Sequence, residues 1–324
     1  MKETIKWGIL GAGRIAAKFA ADLNKTPGCE LLAVASTSLE RAQEFALEYN
    51  GKHAFGSYQE LFSTEIDVVY VATPHTSHKE HTLLCLNNNV GVLCEKPFAM
   101  NQGEVDEMIQ LAKEKGLFLM EAMWTRFLPT TLKAQSLIAE GKIGNIKTIA
   151  ADFGFKAEFD PKSRLFDPKL GGGAFLDIGI YPAFLSLLFL DYPSKILAAS
   201  IFAPTNTDET TSFVYRYDNE STAVLNCTVK SNTDCEARIY GDMGSIKLNR
   251  KFHMATSLTL MDVDGNEVET FDYPRDTFGY NYEIEEVNKC IANKQTESEL
   301  MPLSLSLKLI HLLDKTREAA TIVY

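Results

Sequence analysis

Asp177 and Tyr181 stand four residues apart in the run Gly171-Gly172-Gly173-Ala174-Phe175-Leu176-Asp177-Ile178-Gly179-Ile180-Tyr181-Pro182. On a helix that spacing puts both polar groups on one face and turns Leu176, Ile178 and Ile180 elsewhere. A tyrosine moves protons in a reaction when a neighbour stabilises its ionised form, and a lysine ammonium is such a neighbour. Lys96, in Cys94-Glu95-Lys96-Pro97, is the candidate. It follows an apolar run and so lies at the carboxyl end of an expected parallel strand, the edge where such sheets bind ligands. Pro97 restricts the backbone of Lys96 to extended geometry. The inert alternatives are a surface Lys96 neutralised by Glu95 and a core Tyr181 bonded to Asp177.

A second set of residues points to a dinucleotide. Gly11, Ala12, Gly13, Arg14, Ile15 and Ala16 form G-x-G-x-x-A directly after an apolar strand and at the start of a helix. The first glycine permits the tight turn, the second admits a pyrophosphate to the backbone, and the alanine lets helix and strand pack closely. The helix N-terminus then faces the phosphates. A ligand-free glycine turn is the alternative. NAD-preferring folds carry an acid about 20 residues further on, at the end of the second strand. Here that strand ends in Ser36-Thr37-Ser38 with Arg41 one helical turn later, a set suited to a 2′-phosphate, so NADP is favoured over NAD. Ser38 or Thr37 is also placed to cap the next helix. Thr73-Pro74-His75 and His78, at the end of the third strand, are placed to border the cofactor. No His, Cys and carboxylate cluster has zinc spacing, so no metal is expected.

The elements that must position these groups are readable from the apolar periodicity. Strands are expected over 5–10, 31–35, 68–72, 90–94 and 117–121, with helices over 14–23, 39–49, 77–86 and 102–115 between them and Gly51 and Gly116 as helix C-caps. This is the alternation of a parallel sheet covered by helices. After Trp124 a helix over about 130–140, a strand to 155 and a helix over about 174–190 lead into period-two segments. These predict a mainly antiparallel sheet of about six strands, including a hairpin at 218–220, before helices near 280–292 and 303–319. The expected organisation is a doubly wound dinucleotide domain over 1–122 and an α/β domain with an open antiparallel sheet over 123–324.

Composition bounds the class. The chain has 324 residues, 45% hydrophobic and 23% charged, values of a globular protein with room for about two cores. Its net charge of −11 argues against nucleic acid or an anionic membrane as partner. The six cysteines include no C-x-x-C pair and read as reduced thiols of a cytoplasmic protein. No leader is expected at Met1, and the apolar stretch 178–190, interrupted by Pro182, reads as a buried helix.

Taken together, the loop at 11–16, Ala72-Thr73-Pro74-His75 with His78, Glu95-Lys96-Pro97, Glu121-Ala122-Met123-Trp124-Thr125-Arg126-Phe127, and Arg164-Leu165-Phe166-Asp167-Pro168 running into Asp177 and Tyr181 resemble the glucose-fructose oxidoreductase/inositol dehydrogenase/MocA family. The similarity is strongest to its dihydrodiol and D-xylose dehydrogenase branch, and it extends over nearly the whole chain. It implies hydride transfer between a secondary alcohol of a sugar or cyclic diol and the nicotinamide. Lys96 and Tyr181 match the family's lysine and the branch's acid/base tyrosine, with Asp177 holding the arrangement. Glu95, Trp124 and Arg164 fall on the cofactor side, and Trp124, Phe153, Phe155 and Arg126 near the substrate. The resemblance further implies a homodimer or higher oligomer through the second sheet. Thr37 stands where many NADP-using relatives carry arginine. Two alternatives remain: a dinucleotide-binding sensor or regulator, and a sugar–sugar oxidoreductase that retains its NADP.

Overall fold

The computed structural model describes residues 4–323. The chain forms two compact units, Met1–Phe127 with Arg275–Leu307, and Leu128–Pro274 with Lys308–Tyr324. The expected division at residue 122 is a single cut, whereas the second crossing returns Arg275–Leu307 to the first unit. Asp22 gives a physical reason. Its buried carboxylate accepts the N–H groups of Phe278, Gly279 and Tyr280 at 2.8–2.9 Å, at the start of a helix spanning Asn281–Ala292. A carboxylate there satisfies donors that a helix N-terminus leaves open.

In the first unit, β1 (Ile5–Leu10), β2 (Cys29–Ala35), β3 (His53–Phe55), β4 (Val68–Val71), β5 (Gly91–Glu95) and β6 (Leu119–Ala122) pair in parallel in the order β3-β2-β1-β4-β5-β6. α1 (Arg14–Lys25), α2 (Leu39–Glu48), α3 (His78–Asn87) and α4 (Gln102–Lys115) are the intervening helices. The order reverses between β1 and β4, and in such sheets ligands bind beyond the carboxyl ends of the strands at that reversal. Continuous apolar runs such as Val68–Val71 become strands buried on both faces, as a helix-covered parallel sheet requires. β3 was not expected. Three residues at the sheet edge, the first of them exposed, leave no apolar run to read. Gly116 closes α4 in the left-handed region, but after α2 that conformation falls on Asn50 rather than Gly51.

In the second unit, α5 (Pro129–Ala139) precedes β7 (Ile146–Gly154), and α6 (Ile180–Leu190) precedes β8 (Lys195–Phe202), β9 (Asp208–Arg216), β10 (Thr222–Thr228), β11 (Ala237–Gly241), β12 (Ser245–Leu248), β13 (Ser257–Met261) and β14 (Glu267–Asp272). The sheet has eight strands rather than six, ordered β14-β13-β12-β11-β7-β10-β9-β8, antiparallel throughout except between β7 and β10. One face buries Phe213, Tyr215, Ala223, Leu225 and Cys227; Leu197, Ile201 and Val224 stay exposed. α7 is the Asn281–Ala292 helix of the first unit, and α8 (Leu303–Ala320) ends the chain.

The helix expected over 174–190 is not uniform. Phe175–Gly179 is wound as a π-helix, and α6 begins only at Ile180. Pro182 accounts for this: it has no N–H for the carbonyl of Ile178 four residues back, and its ring crowds that carbonyl, so the preceding turn widens. The whole stretch Pro168–Leu190 is long and apolar enough to cross a bilayer, but its most apolar window is 83% buried in the fold, as a core element is.

Candidate active site

The glycine loop lies at the reversal between β1 and β4. Gly11 has φ +97°, and a Cβ there would stand 2.8 Å from the carbonyl oxygen of Ala72, so only glycine fits. A Cβ on Gly13 would meet nothing within 4 Å, and α1 has no side-chain cap at its N-terminus. Open space over Gly13 and uncapped helix N–H groups fit a pyrophosphate. At the end of β2, Ser38 caps α2 by accepting the N–H of Arg41 at 3.3 Å, and the Arg41 guanidinium donates to Thr37 Oγ1 at 2.8 Å. The serine therefore takes the capping role, and the exposed arginine is held beside the Thr37 hydroxyl. Ser36 is buried.

The turn carrying Lys96 is pinned on several sides. Lys96 N–H donates to Glu95 Oε2 at 3.1 Å, Tyr70 Oη–H donates to Glu95 Oε1, and Phe98 N–H donates to Glu121 Oε1 at 3.1 Å. Glu95 thus spends its carboxylate on the protein interior. Burial pushes Glu121 from 4.5 to about 7, against the lowering effect of Ser306 and the Phe98 N–H. His78 lies under the turn with no exposed surface. Its Nδ1 faces Pro97 O at 2.8 Å and its Nε2 faces Thr73 O at 2.9 Å. The ring is a strut between the β4 and β5 loops, deeper than the cofactor-side position expected of it. Burial lowers it to about 4, outweighing the two carbonyls, so the neutral ring donates to one of them. His75 is also buried, 5.7 Å from the His78 ring, and Thr73 Oγ1 bonds His81 Nδ1 at 2.9 Å. Lys96 itself is half-buried.

Trp124 stacks on Tyr280 with ring centroids 4.7 Å apart and planes 6° from parallel, a contact no local motif announces. Arg126 is buried, its Nε donating to Leu300 O at 2.7 Å, so its guanidinium serves the packing of the first unit.

In the second unit the π turn presents Asp177 to Arg164, which donates to both carboxylate oxygens at 3.1 and 2.9 Å. Arg164, expected beside the cofactor, is engaged with Asp177. Gly179 allows this turn to lie against β10: a Cβ would stand 2.8 Å from both Cys227 Sγ and the Phe175 ring. Tyr181, in the first turn of α6, lies in a three-ring cluster. Its centroid is 5.5 Å from Phe153 and 5.2 Å from His253, and Phe153 stacks on His253 at 4.1 Å. Sequence reasoning foresaw Phe153 but not His253. Phe155 follows the end of β7, its N–H donating to Thr228 O at 3.1 Å. The chemistry available is a phenol beside aromatic walls and an imidazole in one unit, and a pinned lysine beside a dinucleotide cradle in the other.

Comparison with known proteins assigns the class. Residues 5–123 match the oxidoreductase family with an NAD-binding Rossmann fold, and residues 131–247 match the GFO/IDH/MocA C-terminal domain. The chain belongs to the GFO/IDH/MocA oxidoreductase family and carries its NAD-binding Rossmann domain. Among relatives, it is 38% identical to trans-1,2-dihydrobenzene-1,2-diol dehydrogenase of Danio rerio, covering 99% of this chain and 98% of that one. The Homo sapiens protein of that name is 34% identical with the same coverage. Among solved structures, the NADP and TDP-benzene complex of the 3-ketoreductase KijD10 from Actinomadura kijaniata superposes with a TM-score of 0.87 at 25% identity over 98% of each chain. An aldose-aldose oxidoreductase from Caulobacter crescentus, 21% identical over 98% of each chain, shares the fold with a TM-score of 0.89.

Proposed function

We propose that this enzyme oxidises a secondary alcohol of a sugar or a cyclic trans-diol, with Tyr181 as acid/base group and NADP as the preferred cofactor. The observation that carries the assignment is the placement of Tyr181 at the first turn of α6, among Phe153 and His253 and directly after a π turn whose Asp177 is gripped by Arg164. π turns concentrate at functional sites. Curated relatives bearing the name dihydrodiol dehydrogenase match over the full length, which supports a diol substrate.

The bound cofactor supplies the hydride acceptor. The chain's own residues do the rest. Tyr181 takes the hydroxyl proton as the carbinol C–H bond breaks and the carbonyl forms, and returns it in the reverse direction. Lys96 stabilises the ionised oxygen. Arg164 and Asp177 hold the π turn from which Tyr181 projects. Gly11, Gly13 and the N-terminus of α1 bind the pyrophosphate, and Arg41 with Thr37 and Ser38 binds the 2′-phosphate. Trp124 supplies an apolar surface in the first unit, and Phe153 one beside Tyr181 in the second.

Exposed apolar residues on the outer face of the second sheet, Leu197, Ile201 and Val224, support association of two copies through that face. Six free thiols, five of them buried, support a cytoplasmic location. The test of function is the initial rate of NADPH and NADH formation with aldoses, inositols and trans-dihydrodiols, for the wild type and for Lys96→Met. Turnover with a panel member that disappears in the variant supports the assignment. Unchanged turnover in the variant removes Lys96 from the machinery.

A further inference from the structure

His81 has no part in the chemistry so far, yet its bonds lead to the turn that carries Lys96. It lies three residues after His78 on α3, and residues at that spacing share one helix face. Both rings close on Thr73. The pairing of β4 with β1 ends at Val71, so Thr73 lies past the ladder and is held by other bonds. His78 Nε2 faces the Thr73 carbonyl at 2.9 Å, and His81 Nδ1 shares a hydrogen bond of 2.9 Å with Thr73 Oγ1. Two points fix the orientation of a residue that one point would let pivot. The other nitrogen of His78 faces Pro97 O at 2.8 Å, directly after Lys96. The Thr73 methyl meanwhile lies toward the glycine loop, 3.3 Å from where a Cβ on Gly11 would stand. Both branches of this side chain are therefore engaged, and its one stiff torsion is set.

His81 is itself well fixed. It is buried, and the Tyr58 ring meets it edge-on with centroids 4.6 Å apart and planes 73° apart. The Tyr58 loop approaches the first residue of α2 closely, since a Cβ on Gly56 would stand 3.1 Å from Leu39 Cβ. Burial lowers the His81 ring, outweighing the raising effect of Glu80, so the imidazole is neutral at pH 7. A phenyl ring also packs against Tyr58; the imidazole adds the bond to Thr73.

Resting on the function proposed above, in which Lys96 acts in the chemistry, we propose that His81 is a positioning residue. By pinning the Thr73 side chain it keeps His78, and through His78 the Lys96 turn, in the arrangement that turnover needs. Misplacing a reacting group by about 1 Å costs up to about 10²-fold in rate. The glycine loop has a bond of its own, Gly11 N–H to Ala35 O at 2.9 Å, so the effect falls on turnover rather than on cofactor affinity.

The test compares wild type, His81→Phe, His81→Asn, Thr73→Val and the double variant carrying His81→Phe with Thr73→Val, using NADP and the trans-diol or aldose that wild type oxidises fastest. His81→Phe keeps a ring against Tyr58 and removes Nδ1. His81→Asn keeps a polar atom at the Nδ1 position, and Thr73→Val removes only the hydroxyl. His81→Phe should lower kcat by roughly 10-fold with NADP Kd and Tm nearly unchanged. Adding His81→Phe to Thr73→Val should cost nothing further, because the two substitutions break one bond. His81→Asn should recover part of the loss. Independently, the His78 imidazole resonance, assigned by its disappearance in His78→Gln, should move alike in His81→Phe and Thr73→Val. An unchanged kcat in His81→Phe overturns the proposal, as do losses that multiply in the double variant. A loss that tracks a fall in Tm and is not repaired by His81→Asn makes the residue merely structural and overturns it too. If wild type oxidises no alcohol of the panel, the proposed function fails; the His78 resonance still decides whether His81 holds the turn, and one that ignores both substitutions shows that it does not.

Discussion

Arg164 grips Asp177 through two N–H···O bonds of 3.1 and 2.9 Å, at the π turn that delivers Tyr181. The arginine side chain is 41% exposed, so the pair contributes at most about 1 kcal/mol to stability. Its value lies in orientation: a forked guanidinium fixes both the place and the plane of the carboxylate. Arg164→Met should therefore lower kcat by roughly 10-fold with little change in melting temperature, since small misplacements of a reacting group are costly. A Tm that falls with activity intact would make the pair structural.

Arg41 is tied to Thr37 at the end of β2, where no carboxylate stands at 36–38. Arg41→Ala should weaken NADP by about 10-fold or more, the scale of a charged hydrogen bond, and leave NAD nearly unchanged. Equal losses for both nucleotides, measured by titration, would show that Arg41 does not read the 2′-phosphate.

Glu121 is fully buried under the Lys96 turn, with its carboxyl raised from 4.5 to about 7. The unfolded chain releases this proton near 4.5 and the folded chain only near 7, so the folded state binds more protons between them. Stability attributable to Glu121 therefore falls as pH rises through that window, and the cost is complete above about 7. A shift of this size amounts to about 3 kcal/mol. Glu121→Gln keeps the oxygen that accepts the Phe98 N–H and removes the titration. Relative to wild type the variant should gain about that much stability from pH 4.5 to pH 8 in urea unfolding. A difference that stays flat with pH would mean that Glu121 is ionised throughout. His78, lowered to about 4, acts in the opposite sense, costing stability as pH falls below 6.5.

Gly179 lies where a Cβ would press into Cys227 and Phe175. Gly179→Ala should destabilise the protein by about 1–3 kcal/mol, as overpacking does. It should also displace the π turn, so that kcat falls more than it does for a surface control of equal stability.

The dinucleotide half was the more legible part of the chain. Continuous apolar runs punctuated by glycine place β1 and α4 at their observed ends, because strands buried on both faces leave an unbroken hydrophobic signature. β3, three residues at an edge, leaves none. The π turn escaped a reading based on a 3.6-residue period, although Pro182 four residues after Ile178 was the available signal. At the site, the glycine loop, Lys96 and Tyr181 stand in local motifs. His253 does not: strand order in the second sheet and a left-handed residue at Lys251 bring it to Phe153 and Tyr181. His78 and Arg126 were visible as residue types, but their inward orientation depends on packing that neighbouring residues do not encode.

The most direct test is the rate of NADPH formation by wild type and Tyr181→Phe with a saturating trans-diol or aldose, alongside NADP titration of both proteins. If Tyr181 is the acid/base group, turnover falls by about 10²-fold or more while NADP affinity is unchanged. Tyr181→Phe turning over at the wild-type rate would contradict the assignment.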